Sequence, residues 1–99
     1  MWYVYLIRTA SGSLYTGITV DVERRFLEHA SGPRGARSLR GKGPLELVFS
    51  AEAGNRSQAL KLEYHLKRWP AARKRALIRG DVPLPDLAHE APAPAPAQS

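Results

Sequence analysis

The chain opens with two short runs of strand-forming residues separated by a turn, and this pattern limits the available folds more than any other feature. Residues 2–8 (WYVYLIR) and 14–19 (LYTGIT) are rich in the aromatic and β-branched side chains that favour strands. The stretch between them, residues 9–13 (TASGS), consists largely of turn formers. The pattern predicts a β-hairpin. Because side chains alternate between the two faces of a strand, a shift of one residue would exchange those faces.

The predicted pairing in this hairpin places two tyrosines on the same face. With a loop of five residues, Ile7 pairs with Tyr15 and Tyr5 pairs with Gly17. Tyr5 and Tyr15 are then diagonal neighbours, and Gly17 leaves room for an aromatic ring because it has no side chain. Tyrosines in strands usually serve packing, so the pair becomes a candidate site only in combination with other residues.

The rest of the folded part predicts one further strand and several helices. Asp21 or Thr19 can cap a helix that runs to about residue 30, and Asn55 with Gln58 resembles a capping box. The other predicted elements are a Gly-rich basic segment over 31–44 with a short helix near 35–40, a strand over 45–51, a helix over 56–69 that Pro70 ends, and a helix over 71–79 that Gly80 closes. The predicted order is β-β-α-(α)-β-α-α, an α+β fold with a small three-stranded antiparallel sheet flanked by helices.

Charge and composition divide the chain into a basic domain and an acidic tail. The 99 residues carry 15 Lys and Arg against nine Asp and Glu, for a net charge of +6. All 15 basic residues and six of the acidic ones fall within residues 1–80, which we take as the folded domain with a net charge of +9. Residues 81–99 carry −3, and their alternating Ala and Pro suit neither a helix nor a strand ladder. We predict that this tail is disordered and that the basic domain binds a polyanion.

The same composition excludes several classes of protein. The chain has no cysteine, which excludes disulfides, thiolate nucleophiles and Cys-based zinc sites. No apolar run approaches the roughly 20 residues that a membrane-spanning helix needs. The opening MWYVYLIR lacks the basic start of a secretory signal, so we predict a cytoplasmic protein without a membrane partner.

Glu63 stands out in the predicted helix over 56–69 because it falls on the inward side. The apolar stripe consists of Ala59, Leu62 and Leu66, and the opposite, solvated face carries Lys61, His65 and Arg68. An inward carboxylate is costly unless it is paired or bound to a metal. The residues leave two explanations open, namely a salt bridge to Lys67 four positions on and a divalent-metal ligand.

The first predicted helix carries an arginine and a histidine beside its apolar stripe. Val22, Phe26 and Ala30 form the stripe, and Arg25 and His29, spaced i and i+4, share the adjacent one. Such a pair alone is common on solvated faces. The pair becomes a candidate site only together with the two tyrosines and the inward glutamate. These five residues can converge on one face of the sheet and helices, and they are Tyr5, Tyr15, Arg25, His29 and Glu63.

The order of these residues resembles that of the GIY-YIG nuclease superfamily. The matching positions are Tyr3-Val4-Tyr5, then Tyr15-Thr16-Gly17, then Arg25, His29 and Glu63, and they span about residues 2–69. The first motif has Tyr-Val-Tyr for Gly-Ile-Tyr and the second has Tyr-Thr-Gly for Tyr-Ile-Gly, so both tyrosines and the second glycine are kept. Within the superfamily the chain is similar to small stand-alone bacterial proteins akin to structure-selective DNA endonuclease subunits, which also carry a segment like residues 36–44.

The resemblance implies a metal-dependent DNA endonuclease that hydrolyses phosphodiester bonds. It implies that Glu63 holds Mg²⁺ or Mn²⁺ and that Arg25 pairs with a non-bridging phosphate oxygen. Tyr5, or as a second choice Tyr15, would orient or deprotonate the attacking water. A phenol has a pKa of about 10 and needs nearby cations to act as a base at neutral pH. His29 would orient a tyrosine or relay its proton.

The basic loop is the predicted nucleic-acid-binding segment. Its cations have no acidic residue among them, and they are Arg34, Arg37, Arg40 and Lys42. The glycines around them allow close approach to a DNA backbone, and such contacts do not read bases. The predicted endonuclease is therefore weakly sequence-specific, with branched or flapped DNA as candidate substrates and DNA repair as its setting. Strong structure selectivity in so small a domain would call for a companion protein or a homodimer.

Two other functions stay open on the sequence. A nucleic-acid-binding module with the same fold, but with little activity unless a partner protein joins it, would use the same loop and would have no need of Glu63. A basic protein associated with RNA or the ribosome would use the same charge.

Overall fold

A computed structural model describes residues 1–31 and 34–86, and it confirms the predicted α+β fold and the order of its elements. The strands are β1 (Trp2–Arg8), β2 (Leu14–Thr19) and β3 (Glu46–Gly54), and the helices are α1 (Val22–Ser31), α2 (Arg56–Lys67) and α3 (Ala71–Arg79). A single 3-10 turn at Arg37–Leu39 takes the place of the short helix expected in the basic loop. No helix within the described ranges is long and apolar enough to cross a lipid bilayer.

The sheet is antiparallel with the strand order β2-β1-β3, which makes β1 its centre. Four consecutive residues of β1, from Val4 to Ile7, are buried on both faces of the sheet. The predicted hairpin register is confirmed, because Ile7 lies opposite Tyr15 and Tyr5 lies opposite Gly17.

Alternation along β1 sends its side chains into two separate cores. Val4 and Leu6 point to one face, where they pack with Leu62 and Leu66 of α2 and with Leu77 of α3. Tyr5 and Ile7 point to the other face and pack with Leu39, with Tyr15 and with Val22 and Phe26 of α1. The sheet therefore has helices on both sides, and Tyr5 is on the α1 side.

The helix ends follow the predicted local chemistry. Asn55 accepts a hydrogen bond from the backbone N–H of Gln58 at 2.8 Å while the Gln58 side chain accepts from the Asn55 N–H at 2.9 Å, which completes the capping box of α2. Asp21 Oδ1 accepts from the Arg24 N–H at 3.1 Å at the start of α1. Gly80 ends α3 with a φ of 84°, in the left-handed region.

The structure corrects several local predictions. The third strand extends to Gly54, beyond the predicted end at residue 51. The added residues pair with the start of β1, where Trp2 lies opposite Gly54. Ala30 is exposed although it was expected in the apolar stripe of α1. His65 is buried, only 8% exposed, and packs edge-on against Tyr64, whereas the helix pattern had placed it on the solvated face.

The packed part of the chain also continues past the predicted boundary at residue 80. Val82 and Leu84 lie against the core formed by α2 and α3. The remainder of the predicted tail, residues 87–99, lies outside the described residues, as do Gly32 and Pro33 in the basic loop.

Gly17 is the position where the hairpin depends on the absence of a side chain. A Cβ atom there would fall 2.5 Å from Tyr5 Cζ and closer still to the phenol oxygen. Tyr5 is 2% exposed and packed in the core with Ile7 and Leu39, so a shift of its ring would displace these neighbours. We expect Gly17→Ala to lower the free energy of unfolding by about 1–3 kcal/mol, because overpacking forces neighbouring groups out of position. Urea unfolding followed by circular dichroism measures the loss.

Gly43→Ala is the matched control for this substitution. A Cβ at Gly43 would have its nearest neighbour at 3.8 Å, an ordinary van der Waals contact. We expect the control to change stability by no more than about 1 kcal/mol in either direction. Equal losses in the two variants would contradict the packing of Tyr5 on Gly17.

Candidate active site

Tyr5 and His29 form the hydrogen bond at the centre of the candidate site. Tyr5 is in the central strand and His29 is in the last turn of α1, and Tyr5 Oη lies 2.8 Å from His29 Nε2. On the other side of the ring, His29 Nδ1 accepts a hydrogen bond from the backbone N–H of Ala36 at 2.9 Å. Because Nδ1 accepts, the neutral imidazole carries its proton on Nε2 and donates it to Tyr5 Oη.

Tyr15 completes an aromatic group of three rings around this hydrogen bond. Its ring centroid lies 6.3 Å from that of Tyr5 and 5.3 Å from that of His29, and it meets His29 edge-on. The predicted proximity of the two tyrosines is confirmed, since the register that puts Tyr5 opposite Gly17 also makes Tyr15 its diagonal neighbour. Tyr15 is only partly buried, so its ring borders the surface while Tyr5 does not.

Arg25 brings the positive charge of the site, and Glu28 holds it in place. Arg25 Nη1 donates to Glu28 Oε1 at 2.8 Å and to the backbone carbonyl of Arg34 at 2.9 Å. Arg24 adds a longer contact to the same carboxylate, at 3.5 Å. Sequence reasoning missed Glu28, although its position three residues after Arg25 on a helix is the spacing of an ion pair.

Burial and the nearby charges keep the phenol of Tyr5 and the imidazole of His29 uncharged at neutral pH. Burial raises the pKa of the Tyr5 phenol well above its ordinary value, and Tyr15 adds to the rise while the Arg25 guanidinium opposes it. Burial, and then the charge of Arg25, lower the pKa of His29 below its ordinary value. The hydrogen bond to Glu28 raises the pKa of Arg25, so this side chain stays charged. The cation of the site is therefore Arg25, and the rings provide oriented hydrogen bonds.

The start of the basic loop is docked onto the same two helix residues. The carbonyl of Arg34 accepts from Arg25, and the N–H of Ala36 donates to His29. Gly35 lies between them, where an added Cβ would fall 2.7 Å from both the Glu28 carbonyl oxygen and His29 Cα. Only glycine fits this approach. These are contacts of backbone groups, which no side-chain pattern in the sequence could have indicated.

The loop cations themselves all face solvent. They are Arg34, Arg37, Arg40 and Lys42, and each is exposed. The far end of the loop is also tied to the hairpin, since the N–H of Ala10 donates to the Lys42 carbonyl at 3.0 Å. The basic charges therefore lie on a segment anchored at both ends beside the site.

Glu63 is on a different helix from Arg25 and His29. It is on α2, which packs against the Val4 and Leu6 face of the sheet, whereas the other four predicted residues are on the Tyr5 face. Its side chain is 20% exposed, and Oε2 lies 3.5 Å from Lys67 Nζ. The salt bridge that the sequence left open is thus present. Tyr5, Tyr15, Arg25 and His29 form a contact group, named so below, and the side-chain contact of Glu63 is to Lys67.

The described residues limit the kind of metal that Glu63 could help to hold. Within residues 1–31 and 34–86 there is no group of three or more His, Cys, Asp or Glu side chains suited to one ion. A lone carboxylate does not make a protein-enclosed zinc or calcium site. It does fit Mg²⁺, which keeps most of its water ligands and is usually bound by one or two carboxylates together with substrate phosphates.

The antiparallel sheet, its hairpin tyrosines and the Arg25–His29 helix define a nuclease-type domain. A model of the GIY-YIG catalytic domain matches residues 1–76, and the chain belongs to this family. The family resemblance of the sequence is therefore confirmed, and with it the nuclease fold.

Curated relatives and a solved structure place the chain among small bacterial proteins of one group. It is 58% identical over 80 residues to a UPF0213 protein of Enterobacter sp. (strain 638), a match that covers 81% of this chain and 78% of the relative. A UPF0213 protein of Yersinia pestis (strain Pestoides F) is 58% identical over 78 residues, covering 79% and 81%. The solution NMR structure of a UPF0213 protein from Bacillus halodurans matches with a TM-score of 0.51 and 39% identity, over 80% of this chain and 84% of that one.

The docking of the loop predicts that Gly35 controls the protonation of His29. In Gly35→Ala the added methyl group pushes the loop from α1, so the Ala36 N–H no longer donates to Nδ1. Nδ1 is then free to take a proton and the ring is less buried, and since burial is the first cause of its lowered pKa, we expect the pKa of His29 to rise toward the ordinary value of about 6.5. Two-bond ¹H–¹⁵N NMR spectra of the imidazole across pH 4.5–8 report both the tautomer and the pKa.

The controls for this measurement are wild type and Gly43→Ala, whose new methyl group meets no close neighbour. Both should show Nε2 protonated and Nδ1 unprotonated at pH 7.5. A Gly35→Ala spectrum identical to that of wild type would mean that the loop does not set the state of His29.

Proposed function

We propose that this protein is a metal-dependent DNA endonuclease that hydrolyses phosphodiester bonds with little sequence specificity. The observation that carries the proposal is the contact group, in which a buried hydrogen-bonded phenol, a second tyrosine and a fixed guanidinium meet beside a basic loop. Membership of the GIY-YIG family supports the same reaction class.

Arg25 is assigned to the scissile phosphate. Nη1 is held by two acceptors, the Glu28 carboxylate and the Arg34 carbonyl, and this fixes the plane of the guanidinium. The remaining N–H groups of the fork suit a non-bridging phosphate oxygen, on which negative charge grows during hydrolysis. The side chain is 31% exposed, which leaves it open to a substrate at the surface.

The two tyrosines are assigned different tasks because their burial differs. Tyr5 is 2% exposed with a raised pKa, so it serves best as a fixed neutral phenol that orients its neighbour. Tyr15 borders the surface and is better placed to meet the attacking water. His29 donates through Nε2 and already accepts through Nδ1, which supports an orienting role over a proton relay.

Glu63 is assigned to Mg²⁺ or Mn²⁺, with water and phosphate oxygens as the other ligands. Such an ion supplies Lewis-acid stabilisation of the phosphoryl oxygens and of the leaving oxygen. β2 is the edge strand that packs against both α1 and α2, so a phosphate that meets Arg25 and the Glu63 region together would lie along this edge. Lys67 would give up its contact with the carboxylate on metal binding.

The binding module without useful turnover remains the second candidate, and one observation favours it. Glu63 is paired with Lys67, Tyr5 is a neutral phenol with a raised pKa, and Nδ1, the basic nitrogen of His29, already accepts from the Ala36 N–H, so each of these groups would have to lose its present partner or its proton before it could act as a base. In this second function the loop cations hold nucleic acid and a partner protein completes the chemistry.

Paired substitutions at Glu63 and Lys67 separate a metal ligand from a structural salt bridge. Either Glu63→Ala or Lys67→Ala breaks the same partly exposed ion pair, which is worth at most about 1 kcal/mol. We expect Glu63→Ala to lower the rate of DNA cleavage by at least about 100-fold, as loss of a key charged group does, and Lys67→Ala to keep most of the activity. The measurement is a time course on labelled branched and linear DNA with 5 mM Mg²⁺ or with EDTA, run alongside Tyr5→Phe and Tyr15→Phe.

Each outcome of this assay decides between the candidates. Cleavage that persists in Glu63→Ala, or in EDTA, would overturn the assignment of Glu63 and of the metal. Binding of DNA without cleavage under Mg²⁺ and Mn²⁺ would support the binding module instead. Preferential binding of RNA of matched length would move the proposal away from DNA.

The loop cations predict a specific change in the salt dependence of DNA binding. If Arg37 and Arg40 each contact a phosphate, replacing both with Gln means that DNA binding neutralises two fewer phosphates and releases correspondingly fewer counterions. The slope of log K against log salt should then shrink by roughly 1.8 for duplex DNA. Fluorescence anisotropy in EDTA between 50 and 300 mM salt measures the slope.

The matched control replaces Arg56 and Arg79 with Gln, which removes the same total charge from exposed positions elsewhere. Arg56 follows the Gly54 end of β3, whereas the loop leads into the Glu46 end of that strand. We expect the control slope to stay within about 0.5 of wild type. Equal flattening in both double variants would show that net charge, and not the loop, governs binding.

A further inference from the structure

A groove of about 550 Å³ lies between the second half of α1 and the segment from Leu39 to Leu45. We propose that this groove holds one unpaired nucleotide of the DNA strand, next to the phosphate that is cleaved. The proposal rests on the proposed function and adds to it a binding site for one unstacked nucleotide, which a flap, a bulge or a junction can supply.

The position of the groove ties it to the contact group. His29 forms part of the groove wall, and the same ring donates to Tyr5 Oη from Nε2. An occupant of the groove is therefore separated from the Tyr5 phenol by a single side chain. Within one strand, a nucleotide in the groove would bring its neighbouring phosphate toward Arg25, a residue one helical turn before His29 on α1 whose guanidinium contacts the Arg34 carbonyl.

The chemistry of the lining fits a nucleotide better than an apolar ligand. Phe26 and Pro44 offer apolar surface to the face of a base, and stacking on aromatic side chains is a usual way in which proteins hold unpaired bases. Arg40 lines the same groove and supplies a cation for a phosphate. The ten residues that line the groove include no carboxylate.

The size and the rim of the groove explain why the nucleotide must be unpaired. A volume of about 550 Å³ is in the range of roughly 300–1,000 Å³ that small-molecule sites occupy, too small for a stacked stretch of duplex. Gly41 and Gly43 form part of the rim and have no side chains that would close it. A paired base would first have to leave its stack at a cost of a few kcal/mol, which an already unpaired base does not incur.

The test alters the groove from the exposed end of α1. Ala30 is exposed and lines the groove, so Ala30→Glu places a negative charge in it without disturbing the core. Leu27→Glu is the matched control, because Leu27 is 58% exposed on the same helix and is not among the lining residues. Ala30→Leu fills part of the groove without adding charge.

The readout is a ratio of affinities that cancels general electrostatic effects. The two probes are a duplex with one unpaired 2-aminopurine nucleotide and the same duplex fully paired, each titrated by anisotropy in EDTA at 150 mM salt. We expect wild type and Leu27→Glu to bind the unpaired probe about tenfold more tightly than the paired one, the low end of the gain that one stacked base supplies. The ratio should fall to about one in Ala30→Glu and to an intermediate value in Ala30→Leu.

The outcomes keep this inference separate from the proposed reaction. A wild-type ratio near one, or equal ratios in Ala30→Glu and Leu27→Glu, would overturn the nucleotide site even if the protein cleaves DNA. Loss of the ratio in Ala30→Glu alone would support the site even if no cleavage is found, since the binding assay contains no metal.

Discussion

The contact of Tyr5 with Gly17 and His29 is the constraint on which the rest of the site depends. The phenol ring lies over a glycine that leaves no space for a methyl group, and its oxygen is fixed by the imidazole of a helix 24 residues further along the chain. One residue thereby joins the central strand, the edge strand and α1. Because the hairpin register decides which face Tyr5 occupies, the same pairing that forms the sheet also assembles the chemistry.

The charge of the site is concentrated on one side chain. Burial keeps Tyr5 and His29 neutral, while Glu28 and the Arg34 carbonyl fix the guanidinium of Arg25. A neutral hydrogen-bonded pair beside a fixed cation suits a polyanionic substrate, since the cation attracts phosphate and the rings need no solvent to stay ordered. The loop that carries the exposed cations is docked on Arg25 and His29 themselves, so the surface that would hold DNA and the groups that would act on it form one unit.

The residues that the proposed function requires are on helices that pack against opposite faces of the sheet. The contact group is on the α1 face, and Glu63 is on a helix that covers the other face, where it pairs with Lys67. Among the described residues, β2 lies at the edge of the sheet and packs against both α1 and α2, so a substrate along this edge would be close to elements of both faces. The proposed metal would then be shared between protein and DNA, in keeping with the single carboxylate that α2 offers.

The sequence by itself determined the hairpin, its register and the capping box at Asn55, because these follow from local patterns of strand formers, turn residues and helix caps. The four members of the contact group were predicted from their combination and from the resemblance to a family motif. Only the tertiary structure decided that Tyr5 is the buried tyrosine, that the helix of Glu63 packs on the Val4 and Leu6 face of the sheet, and that His65 is inside although its helix position had indicated the surface. It also revealed Gly35 and Ala36, whose backbone atoms set the hydrogen bonds of His29. Backbone contacts between distant segments leave no trace in side-chain type, and burial depends on which elements pack together, so neither could be read from the sequence alone.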